Sequence, residues 1–141
     1  MREPGRNYPM KRIVLAVSVI LCILASGCTQ KTSDAAASQG YTVIKADEAK
    51  QMIDAGNVII VDVRTEAEYD EKHIPDAINI PVESITTEQP ILLPDLNKTL
   101  LVYCRTGVRA AAASKKLAAI GYTKIYDIGG IVDWPYDTVT K

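Results

Sequence analysis

Two stretches of the chain are apolar on nearly every position. Residues 58–63 are broken only by Asp62, and residues 100–103 lead directly into Cys104. Continuous apolar runs of this length suit strands buried on both faces of a parallel sheet. Around them the period changes to that of a helix. Residues 46–55 put Ala49, Met52 and Ile53 on one face and stop at Gly56 and Asn57. Residues 107–120 put Ala110, Ala113, Leu117 and Ile120 on one face, Arg109 and Lys116 on the other, and stop at Gly121. A shorter acidic helix is predicted over 65–72, with Thr65 as N-cap and Glu68 as its capping-box partner. Brief strands are expected at 41–44, 77–80 and 124–128, with loop across 83–97, where Pro90 and Pro94 interrupt, and a last turn over 129–134. Strands alternating with helices imply an α/β fold, an open parallel sheet with helices on both faces. Such sheets bind ligands beyond the carboxyl ends of their strands, and Asp62 and Cys104 both fall there.

The N-terminal pattern is different. Lys11 and Arg12 precede an apolar run from 13 to 25 that ends in Ser26, Gly27 and Cys28. A basic start, a short apolar stretch and small residues make a signal-peptide plan. The run is shorter than the roughly 20 residues a membrane-spanning helix needs. Leu24, Ala25, Ser26, Gly27 and Cys28 resemble the lipobox of bacterial lipoproteins, although the leucine stands one position further from the cysteine than is usual. That resemblance implies cleavage after residue 27, acylation of Cys28 and anchoring to a bacterial membrane on its exported side. Two acyl chains hold a protein stably where one is marginal. Residues 28–40 carry no bulky apolar side chain and read as a tether, leaving 41–141 as one domain.

Composition narrows the chemistry. With 48% hydrophobic residues among 141, the chain supports one modest core. Residues 28–141 hold 12 Lys and Arg against 16 Asp and Glu, a balance of −4 that argues against a nucleic-acid partner. Of three cysteines, Cys22 leaves with the signal segment and Cys28 is acylated, so Cys104 alone remains a thiol. Exported domains ordinarily pair their cysteines, so a lone one calls for a chemical role. His73 is the only histidine, which leaves no usual zinc ligand set, and no cofactor is expected.

Cys104, Arg105, Thr106, Gly107, Val108 and Arg109 sit between a buried strand and a helix start. Free N–H groups at such a start, with the helix dipole, can converge on an anion carried by Cys104. Gly107 lets the loop curl tightly. Two arginines add positive charge that favours the thiolate, the form that attacks sulfur.

This loop resembles the active-site loop of rhodanese-family sulfurtransferases. Asp62, Val63 and Arg64 resemble that family's second-strand motif, the stretch from His73 to Pro81 its next motif, and the stretch from Gly129 to Trp134 its C-terminal signature. The family usually has glycine where Lys72 and Asp76 stand. The resemblance implies a rhodanese-like sheet and a two-step reaction. Cys104 takes the outer sulfur of a small donor anion such as thiosulfate and yields it to a thiol or cyanide, while Arg105, Thr106, Gly107, Val108 and Arg109 bind the sulfur and its donor.

Around the loop, other roles are expected. Asp62 and Arg64 are read as an ion pair bracing the strand end, with Glu66 placed to share it, and His73 as a structural hydrogen-bonding residue. Trp134 and Tyr136 are read as closing contacts. Two other readings compete with catalysis of sulfur transfer. A non-enzymatic binding or sulfur-carrier module would load Cys104 without turnover. Phosphatases of related fold also use cysteine-arginine loops, but theirs carry one more residue between the two.

Overall fold

The computed structural model describes residues 40–141. The signal-peptide and lipidation expectations, Cys28 included, lie outside the described residues, as does the tether up to residue 39. Gly40, assigned to the tether by composition, is packed against a helix, since a Cβ there would lie 2.8 Å from that of Ala118.

Five strands form the sheet: β1 (Thr42–Val43), β2 (Val58–Asp62), β3 (Ile78–Asn79), β4 (Thr99–Cys104) and β5 (Ile125–Gly130). Their order is β1-β5-β4-β2-β3, and every pairing is parallel. Three helices connect them: α1 (Ala46–Ala55), α2 (Glu66–Glu71) and α3 (Val108–Ile120). The expected loop across 83–97 begins with a single 3-10 turn at Val82–Ser84, and a second such turn, Ile131–Asp133, follows β5.

Alternation along the central strand β4 distributes the core. Leu100, Val102 and Cys104 face the layer that contains Ala110, Ala113 and Leu117 of α3. Leu101 and Tyr103 face the opposite layer, with Ala49, Met52 and Ile53 of α1. Leu100, Leu101 and Val102 are fully buried, and each such side chain contributes about 1.5–3 kcal/mol relative to an exposed one. Helices therefore cover both faces, as the continuous apolar runs require.

Local signals in the sequence account for the element ends. Thr65 Oγ1 accepts the N–H of Glu68 at 3.3 Å while the Glu68 carboxylate accepts the N–H of Thr65 at 3.2 Å, a complete capping box at the start of α2. Gly121 ends α3 in the left-handed region at φ 118°. Lys116, placed on the solvent side by periodicity, instead reaches across to donate to the carbonyls of Val82 and Ile85 at 2.8 and 2.9 Å. Its long stem lets a charged head find main-chain acceptors that a helical wheel does not show.

Candidate active site

The parallel sheet brings the carboxyl ends of β2, β4 and β5 to one edge. Asp62 pairs in register with Tyr103, so the Asp62–Arg64 segment lies beside the end of β4. Asp62 is wholly buried and Arg64 nearly so. Arg64 Nε donates to Asp62 Oδ1 at 2.9 Å and Nη2 to Oδ2 at 2.6 Å, while the Arg64 amide also donates to Oδ1 at 2.9 Å. Burial opposes the guanidinium's charge, but the Asp62 carboxylate outweighs it and holds Arg64 above its ordinary value. A second donation from Nη2, to the Lys72 carbonyl, ties this pair to the loop after α2. Glu66 does not share the pair; it is exposed, with Lys141 Nζ 3.9 Å away.

Cys104 ends β4 with its side chain 1% exposed, at the base of the loop that follows. The Gly107 N–H donates to Cys104 Sγ at 3.1 Å. The sulfur is thus covered, packed in the apolar layer beside α3 with this one main-chain donor turned toward it. Gly107 adopts φ 98°, a left-handed conformation that lets the loop double back before α3 begins at Val108. Arg105, Thr106 and Val108 are exposed around the loop.

Beneath the loop, β5 provides a floor with no side chains. The β4–β5 register shifts by one residue between Val102 and Cys104, so that Cys104 pairs with Gly130. Gly129, at φ 81°, makes this bulge possible. An added Cβ on Gly130 would stand 2.3 Å from the Arg105 carbonyl oxygen and 2.7 Å from Thr106 Cα. The Arg105 carbonyl also accepts the N–H of Val132 at 3.3 Å, which fixes the far side of the loop. Asp127, not singled out in the sequence because it lies within an expected strand, accepts the Gly129 N–H at 2.9 Å. Its burial raises its carboxyl above the ordinary value, the Gly129 bond partly opposing this.

The two arginines of the loop do different things. Arg109 is held by Glu68, with Nη1–Oε2 at 2.7 Å and Nη2–Oε1 at 2.8 Å, a forked ion pair between the starts of α2 and α3. The Arg109 guanidinium lowers the Glu68 carboxyl to about 2, although burial pushes the other way. Most of Arg109's charge is therefore balanced before any donor arrives. Among the described residues the Arg105 side chain has no such partner. It opens instead on a cleft of about 370 Å³ beside the loop, lined also by Arg64, Glu68, Glu71, Lys72, Ile131 and Val132. Glu68, Glu71 and Lys72 were not among the sequence-derived site residues, because only tertiary structure brings the end of α2 to this edge.

The remaining expectations concern the margin. His73 Nδ1–H donates to the Tyr69 carbonyl at 2.7 Å, its ring stacks on Tyr69, and its main chain bridges to Val139. Trp134 and Tyr136 meet edge to face at 5.1 Å. Asp76 adopts φ 63°, a conformation for which glycine is the easy choice and which aspartate tolerates. Lys72 is extended at φ −167° and needs no glycine.

An open parallel sheet whose central strand ends in a cysteine, with the following loop folded back over that sulfur, defines a cysteine-loop α/β domain. Residues 45–136 match the Rhodanese-like domain family. The chain belongs to that family. Proteins named tRNA uridine(34) hydroxylase from Erwinia tasmaniensis and Yersinia pestis are each 32% identical to it over 126 residues, covering 86% of this chain and 35% of their own length. The chain thus spans about a third of the length of these curated relatives. Among solved structures, a rhodanese with anions from E. coli is 33% identical, covering 59% of this chain and 98% of that one at a TM-score of 0.54. A rhodanese-like domain protein from Staphylococcus aureus is 30% identical, covering 70% of this chain and 97% of that one at a TM-score of 0.61.

Proposed function

We propose that the chain is a sulfurtransferase in which Cys104 carries a sulfane sulfur as a persulfide. The observation that carries this reading is the Gly107 N–H donated to Cys104 Sγ at 3.1 Å, at the start of a thirteen-residue helix. Main-chain donors at a helix start stabilise a thiolate and the terminal sulfur that replaces it. Family membership and the anions described with the similar E. coli rhodanese support the same reading.

The chemistry takes two displacements. Cys104 thiolate attacks the outer sulfur of thiosulfate, the donor's S–S bond breaks, and sulfite leaves with the bonding pair as a new S–S bond forms on Cys104. A thiophilic acceptor then attacks the terminal sulfur and restores the thiolate; cyanide becomes thiocyanate. The amides of Arg105 to Arg109 cradle that terminal sulfur, and Arg105 draws in the anionic donor. With Arg109 already paired to Glu68, the main chain supplies more of the positive potential than the sequence alone suggested. The name tRNA uridine(34) hydroxylase describes proteins of which this chain spans 35%, and the acidic balance of residues 28–141 disfavours an RNA partner.

Thiosulfate treatment of the purified full chain is expected to add one sulfur atom to Cys104, seen by mass spectrometry, and added cyanide to release thiocyanate. Cys104→Ser is expected to abolish both. An intact Cys104 that thiosulfate leaves unmodified would overturn the reading.

Export and anchoring through a lipid on Cys28 are a separate proposal, supported by the residue order from Lys11 to Cys28. Among the described residues no helix is long and apolar enough to cross a membrane. Cys28→Ala should move the protein from the membrane fraction to the soluble one; unchanged membrane recovery would refute the lipid anchor.

A further inference from the structure

We infer that the chain has a second ligand site, on the α1 side of the sheet, that takes a small organic cation of the substituted-ammonium type. The site is a cleft of about 400 Å³ between α1, the turn at Pro75 and the segment that follows the 3-10 turn Ile131–Asp133. It shares no lining residue with the cleft at the cysteine loop, so it stands or falls apart from the transferase reading.

The walls come first. Trp134 and Tyr136 line the cleft with their ring centroids 5.1 Å apart and their planes 69° from parallel, so the two rings meet as a corner. Ile53, Ile74, Pro75 and Pro135 complete an apolar lining, and the volume lies in the range, from about 300 Å³ upward, that holds small organic ligands. Tyr136 is fixed in place, its hydroxyl donating to Asp47 Oδ1 at 2.7 Å, and Lys50 Nζ already lies 5.7 Å from its ring centroid. Over the Trp134 ring no cation lies among the described residues, although indole is the ring that attracts cations most strongly. The Trp134 Nε1–H has no hydrogen-bond partner, so no such bond restrains this ring from adjusting to a guest.

Charge selects the guest. Lys50 and Asp54 neutralise each other as an ion pair. Asp76 and Asp137 also line the cleft, and neither carboxylate has an ion-pair or hydrogen-bond partner among the described residues. An anion would be repelled by these two charges, and a neutral guest would leave them unused.

The lining decides which kind of cation. A calcium or magnesium ion requires several oxygen ligands in one shell, and among the described residues no group of acidic, histidine or cysteine side chains could hold a metal. A nitrogen cation clothed in methyl or methylene groups is weakly hydrated and uses both parts of the cleft. Its carbon surface packs on the rings and aliphatic walls, and its charge faces the indole and the two carboxylates.

Trp134 is the only tryptophan of the chain, so its emission reports on this cleft alone. Choline chloride titrated into the full chain, against matched sodium chloride, is expected to give a saturable change in Trp134 emission and a heat of binding by calorimetry. 3,3-Dimethylbutan-1-ol, of the same shape but uncharged, should bind about tenfold more weakly. Asp76→Asn and Asp137→Asn should each weaken choline about twofold to fivefold, the size expected of exposed charges, and leave the alcohol unchanged; thermal unfolding of each variant verifies its fold. Asparagine tolerates the φ of 63° at position 76 as aspartate does. Absence of both a saturable emission change and a binding heat would overturn the inference. Equal affinity for choline and the alcohol, or folded Asp76 and Asp137 variants that both bind choline as tightly as wild type, would overturn it too.

Discussion

Replacing Gly130 by alanine adds one methyl group under the cysteine loop. Gly130 has φ −118°, which any residue adopts, so the cost is steric and not conformational. The new Cβ would meet the Arg105 carbonyl oxygen at 2.3 Å, Thr106 Cα at 2.7 Å and the Arg105 carbonyl carbon at 2.8 Å. All three are main-chain atoms, so no side chain can swing aside; the loop or the end of β5 must move by several tenths of an ångström or more. Overpacking of this kind costs about 1–3 kcal/mol, which lowers Tm by roughly 4–8 °C per kcal/mol in a domain of this size. Displacement of the loop also withdraws the Gly107 amide from the sulfur. Misplacing reacting groups by about 1 Å can reduce turnover about 100-fold, and a loss of that order is expected in thiocyanate release. Gly56→Ala is the control. Gly56 lies at φ 77°, and a methyl group added there would have no heavy atom within 4 Å, so backbone strain of about 1–3 kcal/mol should lower its Tm to a similar extent and leave turnover near wild type. Wild-type activity in Gly130→Ala, or equal activity losses in both variants, would refute the view that β5 sets the loop's position.

Two other predictions concern the charges around the site. Asp62→Asn keeps the shape but leaves the buried Arg64 guanidinium without its counter-charge, which should cost about 3–5 kcal/mol in urea unfolding; a loss under about 1 kcal/mol would show that the pair is dispensable. Glu68 sits well below its ordinary value of 4.5, at about 2. Its stabilisation is fully present above pH 4.5 and is lost as pH falls through about 2. Glu68→Gln should therefore cost about 1 kcal/mol near neutral pH, as the pair is partly exposed, and should flatten the acid limb of the stability curve between those two values. An acid limb identical to wild type would refute the assignment.

The two long apolar runs were readable because burial on both sides leaves no room for polar alternation, and β2 and β4 fall within a residue of the expected bounds. The capping box at Thr65 was equally readable, since its two bonds join residues three apart. What the chain alone could not show was the second engagement of Glu68. Its partner Arg109 is 41 positions away, and nothing local distinguishes an arginine that meets a donor from one already held. The same limit hid Glu71 and Lys72, which reach the cleft only because the sheet order sets β2 beside β4. The steric floor at Gly130 was visible as a glycine pair, but its purpose depends on a one-residue register shift that no periodicity records.

The alternation along β4 gives the nucleophile an arithmetic constraint. Cys104 shares even parity with Leu100 and Val102, and that parity alone aims its sulfur at the layer of α3. Deleting or inserting one residue between Thr99 and Cys104 would swap odd for even and swing the thiol to the side of α1, away from the amide of Gly107. A change of two residues would keep the sulfur on its proper side but carry it about 6–7 Å along the strand, off its partner Gly130, so parity and register together fix where the nucleophile stands.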